Sequence, residues 1–171
     1  MNEMFEPEVI KVSEARAKRS AVIYAVAGLL ALAGLADSIY LAIEHVAGRD
    51  VRCTVTTGCN EVLDSSYASL PGDIPLAALG AVAYFAAFSL ATLAAFGYVR
   101  ARPLLAALVA SMFMTTLWLL FVQAFVIRKF CEFCLLSAAM TASLTGLIVY
   151  DWWKRASDHR RESSSILRSD R

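Results

Sequence analysis

The chain has 171 residues, of which 58% are hydrophobic and 18% charged, with a formal net charge of +1 and a mean hydropathy of +0.58. A soluble domain carries about a quarter charged residues, so this composition excludes an ordinary soluble fold. The near-zero net charge gives no electrostatic case for a nucleic-acid partner.

The predicted elements follow in chain order. Residues 1–19 form a polar N-terminal tail whose "SEARAKRS" has helical composition. Residues 20–43 hold one charge, Asp37, and the runs 75–99, 103–127 and 133–150 hold none. Each run reaches or approaches the roughly 20 residues that cross ~30 Å of hydrocarbon. The expectation is an all-α membrane protein, a bundle of four transmembrane helices spanning about 20–43, 75–99, 103–127 and 131–151 inside a membrane domain of 20–153. The first run is too long for a cleavable signal peptide and follows a charged segment, so it reads as retained. The loop 45–74 is long enough to carry structure of its own. Within it "CNEVLDSSYASL" places Val62, Leu63, Tyr67 and Leu70 at amphipathic spacing, predicting a short half-helix of about three turns over the mouth of the bundle. "LPGDIP" (70–75) then breaks the chain into the second span. "GYVRARP" and "IRKF" are tight connections between antiparallel neighbours. The basic tail 154–171 reads as disordered.

Charge placement sets the expected orientation. The two tails and the 100–102 turn hold 12 Lys and Arg, and the opposite side holds four: Arg49, Arg52, Arg128 and Lys129. Positive flanks stay in the cytoplasm, which puts both termini inside, Tyr150, Trp152 and Trp153 at the inner interface, and all four cysteines outside. That compartment permits disulfides.

Cys131 and Cys134, in "RKFCEFCLL", fall at a helix start, where the dipole and unsatisfied amides favour a thiolate. Residues three apart share a helix face, so their sulfurs can pair. Cys131 is expected nearer water, and Cys134 one turn deeper, facing something dissolved in the membrane. Cys53 and Cys59 supply a second pair, joined by the flexible "TVTT" link and Gly58. Disulfide exchange can pass electrons between two such pairs through mixed disulfides. Packing or a static loop staple remains open for either pair. Four thiolates could also hold zinc, against which stand the expected outer location and the depth of Cys134.

Four elements in order then resemble the bacterial form of the vitamin K epoxide reductase family: C-x5-C in the loop, "CNEVLDSSY" from its second cysteine, "PGDIPLAALGAVAY" opening the second helix and CxxC opening the last. The likeness covers 22–153 and includes "DSIYL" at the end of the first span. The resemblance implies a bundle around a quinone of ubiquinone or menaquinone type, with Cys131 and Cys134 as the active-site pair and Cys134 facing the quinone. It implies Cys53 and Cys59 as a shuttle pair, Cys53 taking electrons from a partner and Cys59 passing them to Cys131, and Ser65 beside the active site. The implied partner is a separate thioredoxin-like thiol protein in the extracytoplasmic space, since the chain shows no fused domain of that kind. The implied location is the bacterial inner membrane, multi-pass. Ala138 stands where animal members carry a tyrosine, and their quinone-contacting asparagine has no match, which favours a plain quinone over an epoxide. Two alternatives are kept: vitamin K-type quinone or epoxide reduction as the physiological activity, and a four-thiolate metal-binding membrane protein.

Among the remaining residues, Asp37 is a candidate for proton handling or loop anchoring. Gln123 could meet a quinone carbonyl, although interhelical packing is the favoured reading. Trp118, Phe121 and Phe125 read as bundle packing, His45 as solvated, and Gly28, Gly34 and Gly80 as points of close helix approach.

Overall fold

The computed structural model describes residues 6–51, 53, 59–63, 65, 68–70 and 74–169. The "TVTT" link with Gly58, Tyr67, and the 71–73 portion of the breaker cluster lie outside the described residues.

Hydrocarbon offers no partner for backbone N–H and C=O groups, so a spanning segment must satisfy them internally. The apolar runs accordingly form long helices: α1 (Glu6–Val46), α3 (Leu76–Ala95), α4 (Ala101–Phe121) and α5 (Glu132–Ser169). A short α2 (Cys59–Leu63) lies between α1 and α3, and a six-residue π turn, Val122–Ile127, prolongs α4. Four stretches are long and apolar enough to cross a membrane: Glu14–Val46, Leu76–Ala95, Ala101–Ile127 and Glu132–Asp158.

The element ends differ from expectation for local reasons. α3 stops at Ala95, short of 99, because Gly97 takes a positive φ of 91° and closes the helix terminus. The tail expected to be disordered is instead helical through Ser169. Its residues 154–169 contain neither Gly nor Pro, and Arg16 and Arg19 of α1 reach Asp158 at 3.7 and 3.2 Å. The half-helix is five residues rather than three turns. After it the chain pairs β1 (Ser69–Leu70) antiparallel with β2 (Ile74–Pro75), Leu70 opposite Ile74, and the Leu76 N–H donates to the Ala68 carbonyl at 2.8 Å.

α1 packs against α3 and α5, and α4 packs against the same two, closing a four-helix ring. Lipid tails are as apolar as the helices, so association rests on close van der Waals approach through small residues. Ala27 and Ala31 of α1 and Ala87 and Ala91 of α3 are fully buried there, with Leu105 and Leu144 from α4 and α5. The tightest approach is at Gly34, where an added Cβ would stand 2.7 Å from Cδ1 of the Tyr84 ring. Tyr84 also reaches α5: its hydroxyl donates to the Ser137 carbonyl at 2.9 Å and shares hydrogen bonds with Ser137 Oγ and Thr141 Oγ1. Gly80 is similarly close to Ser38 Oγ at 3.2 Å, whereas Gly28 meets Phe88 only at an ordinary 3.7 Å.

The end bearing the termini is held by a polar cluster. Asp151 accepts from the Tyr24 hydroxyl at 2.9 Å and from Arg155 Nε at 2.6 Å, and Arg155 also donates to Ser20 Oγ. Trp152 and Trp153 are exposed at this end, as amphipathic interface residues are. Trp118, Phe121 and Phe125 do not pack the bundle: Trp118 stacks on Phe121, and Phe121 meets Phe125 at a tilt, along the exposed face of α4 and its π turn.

Overpacking a tight contact costs about 1–3 kcal/mol. Gly34→Ala is therefore expected to lower the thermal unfolding midpoint in detergent, while Gly146→Ala, where nothing lies within 4 Å, leaves it unchanged.

Candidate active site

The cysteines meet at the end of the bundle opposite the termini. Cys53 and Cys59 form a disulfide with Cα atoms 6.1 Å apart. Cys59 opens α2 and is buried together with Val62. Two contacts seat this helix: the Val51 N–H donates to Asn60 Oδ1 at 2.9 Å, and Lys129 Nζ lies 3.5 Å from Glu61.

Lys129 belongs to the reversal between α4 and α5, which begins at Arg128 in the left-handed conformation (φ 56°). Cys131 is the residue before α5. Its carbonyl accepts the Leu135 N–H at 3.0 Å, and its own N–H points to Gln123 Oε1 at 3.5 Å. Its side chain is completely buried in a cluster with Leu41, Val51, Cys59 and Val62. Cys131 was expected to be the sulfur nearer water; here it has no exposure. Its position at the helix start was read correctly, but α2 covers it. Cys134, one turn on, is half-buried and also unpaired by a disulfide. Its thiol hydrogen-bonds to the Cys131 sulfur. That bond holds the Cys131 thiol well below its usual value of 9, outweighing the burial that acts in the opposite direction.

Cys134 lies on the wall of a cavity of about 400 Å³ lined by residues of all four long helices and of α2. Leu41, Ala83, Met112 and Leu120 give it an apolar lining. Its polar groups include Asp37, Ser38 and His45 from α1, Ser65 after α2, Tyr84 from α3 and Gln123 from the π turn, with Ser and Thr hydroxyl residues of α4 and α5. Ser65 Oγ donates to the Val62 carbonyl at 2.6 Å. Gln123 is buried and contacts both cysteines, accepting from the Cys131 N–H and hydrogen-bonding the Cys134 side chain. Asp37 is 9% exposed, and its Oδ2 is buried with no hydrogen-bond partner among the described residues. His45, read from sequence as solvated, is half-buried and lines the same cavity, as does Ala138.

All seven residues singled out in the sequence thus collect at one end: Cys53 and Cys59 in the cover, Cys131 beneath it, and Asp37, Ser65, Gln123 and Cys134 around the cavity. Two participants were missed. Tyr84 looked like one more aromatic in an apolar run, and the π turn that carries Gln123 leaves no mark in hydrophobic periodicity.

A ring of four membrane-grade helices with a disulfide in its cover and a dithiol at the rim of its cavity defines a membrane protein of the oxidoreductase class. The chain belongs to the vitamin K epoxide reductase family, whose family model matches residues 25–149. No individual curated protein matches it in a sequence comparison.

If Cys134 sets the ionisation of Cys131, thiolate ultraviolet absorbance in protein with the Cys53–Cys59 disulfide intact will rise at a pH below that of an ordinary thiol. In Cys134→Ala the same rise moves back up towards the usual cysteine value. An unchanged titration in the variant would contradict this assignment.

Proposed function

We propose that this chain passes electrons from an extracytoplasmic thioredoxin-like thiol protein, through Cys53–Cys59 and then Cys131 and Cys134, to a membrane quinone, and so supports disulfide formation outside the cytoplasm. The observation that carries this reading is the division of the dithiol: Cys131 shares a buried cluster with Cys59, while Cys134 lines the cavity. Charge placement supports the sidedness, with the basic end in the cytoplasm and the cysteines outside.

The cavity suits a quinone headgroup. Its volume falls within the range of small-molecule sites, its wall is mainly apolar, and Ser65, Gln123 and the unpartnered Asp37 oxygen supply polar contacts. A bound quinone supplies the capacity to accept two electrons and two protons. The residues do the remaining work. Cys53, the half-buried member of the loop disulfide, is attacked by the partner thiolate, and Cys59 is released. Cys59 attacks Cys131 when Cys131 is disulfide-bonded to Cys134, freeing Cys134, which takes up a proton at the cavity wall. The partner's second thiolate then resolves its bond to Cys53, and the freed Cys53 attacks Cys59, closing the loop disulfide and releasing Cys131. The Cys131–Cys134 dithiol then gives up two electrons and closes its disulfide again. In the structure the loop pair is oxidised and the inner pair is a dithiol, the arrangement this sequence requires just before the electrons leave. Ser65 and Gln123 orient the acceptor, and Gln123 keeps the two sulfurs in register.

Ala138 presents only a methyl group to the cavity, in keeping with a plain quinone rather than an epoxide as acceptor. The four-thiolate metal alternative needs four free sulfurs, and two of them are joined covalently here.

The test is quinone absorbance with purified protein in detergent and a reduced thioredoxin-like dithiol protein as donor. Cys134→Ser is expected to abolish turnover with any donor. Cys53→Ser should slow turnover with the protein donor by about 10²-fold or more and leave dithiothreitol as a working donor. Non-reducing mass mapping of Cys134→Ser should recover a Cys59–Cys131 cross-link. Absence of quinone reduction by the wild type would sink the proposal.

A further inference from the structure

Among the described residues Asp37 is the one acid that lines the cavity, and the function proposed above gives it no more than a polar contact. An intramembrane carboxyl is retained at a cost, and such groups mark proton and ion pathways. Here the burial has no structural compensation in view: Oδ2 is fully enclosed and has no hydrogen-bond partner among the described residues. An unpartnered buried carboxylate is strongly disfavoured against its neutral acid, and a neutral acid has a proton to give. Asp37 also lies within electrostatic reach of both Cys131 and Cys134.

We propose that Asp37, as the neutral acid, is the catalytic proton donor to the acceptor carbonyl oxygen in this cavity. The inference rests on the quinone reading above. The balance is as follows. Cys131 enters as a thiolate, and Cys134 enters as a thiol. The two sulfurs form one S–S bond and surrender two electrons to the quinone. One proton comes from Cys134 and the second from Asp37, which together with the electron pair make the quinol. The Asp37 carboxylate is then reprotonated from water at the cysteine-bearing end.

This division shapes the pH profile. The rate rises with pH as Cys131 ionises and falls again as Asp37 loses its proton. Among the described residues the other titratable groups on the cavity wall are His45 from α1, Tyr84 from α3 and Cys134 from α5; α4, its π turn and α2 place none there. His45 is the competing source of a descending limb, so His45→Gln is the control and is expected to keep that limb.

The experiment measures quinone reduction with saturating dithiothreitol across pH for wild type, Asp37→Asn, Asp37→Glu and His45→Gln. It is paired with infrared spectra of the same proteins in the absence of quinone. Asp37→Asn should lower the rate about 100-fold, as expected for loss of a general acid, and should lose the descending limb. Asp37→Glu should recover turnover with that limb displaced. In the infrared, wild type should show a protonated-carboxyl band in the acidic part of the same pH range that Asp37→Asn lacks. The proposal is overturned if Asp37→Asn stays within about twofold of wild type, if its loss of rate leaves the profile's shape intact, or if the wild-type band is missing. Should Asp37→Asn fail to fold, an unmoved limb in Asp37→Glu overturns it equally. An active wild type with any of these results removes only this inference, whereas a wild type that reduces no quinone removes the function proposed above as well.

Discussion

Tyr84 is the side chain on which the shape of the cavity depends. Its ring lies against Gly34 of α1, its backbone belongs to α3, and its hydroxyl is bonded to Ser137 and Thr141 of α5. Three spans are therefore fixed around one aromatic group that is 2% exposed. In hydrocarbon, helices gain little from burying one more apolar surface, so specific packing and interhelical hydrogen bonds must supply the fit. The Tyr84 hydroxyl bonds α5 one to two turns below Cys134, so the contact that assembles the bundle also sets the height of the active sulfur against the cavity wall.

The opposite end is governed by charge. Asp151, Arg155, Tyr24 and Ser20 satisfy one another where α1 meets α5, and Asp158 continues the pairing with Arg16 and Arg19. The result is a bundle closed by polar bonds at the basic end and left hollow towards the cysteine end, with the short α2 as its cover. Cys131 and Cys134 then occupy different surroundings although they are three residues apart, one packed against protein and the other against the cavity.

The four spans were legible in the sequence because the thickness of hydrocarbon converts directly into a count of apolar residues. The cysteine pairs were legible because spacing on a helix converts into a shared face. What the sequence concealed came from contacts between distant segments. A helix-start argument gives Cys131 its height along α5 but says nothing of α2 lying across it. Polarity alone made the tail look disordered, since the pairing of Asp158 with α1 depends on how the two helices dock. The half-helix was overextended because amphipathic spacing continues past Leu63, while Ser69 and Leu70 pair instead with Ile74 and Pro75, a contact that helical spacing does not reveal. Trp118, Phe121 and Phe125 have the same composition whether they face the core or lipid, and only the docking of α4 decides it.

The π turn at the end of α4 acts as a phase shift. A π turn holds one residue more than the α-helical path it replaces, and one residue corresponds to about 100° of rotation around the helix axis. Everything after Val122–Ile127, including the left-handed Arg128 and the entry to Cys131, is therefore aimed in a direction that an uninterrupted α4 would miss. The azimuth of the dithiol is thus set eight residues upstream, by a single surplus residue in another helix that itself carries Gln123 to the Cys131 N–H and the Cys134 thiol.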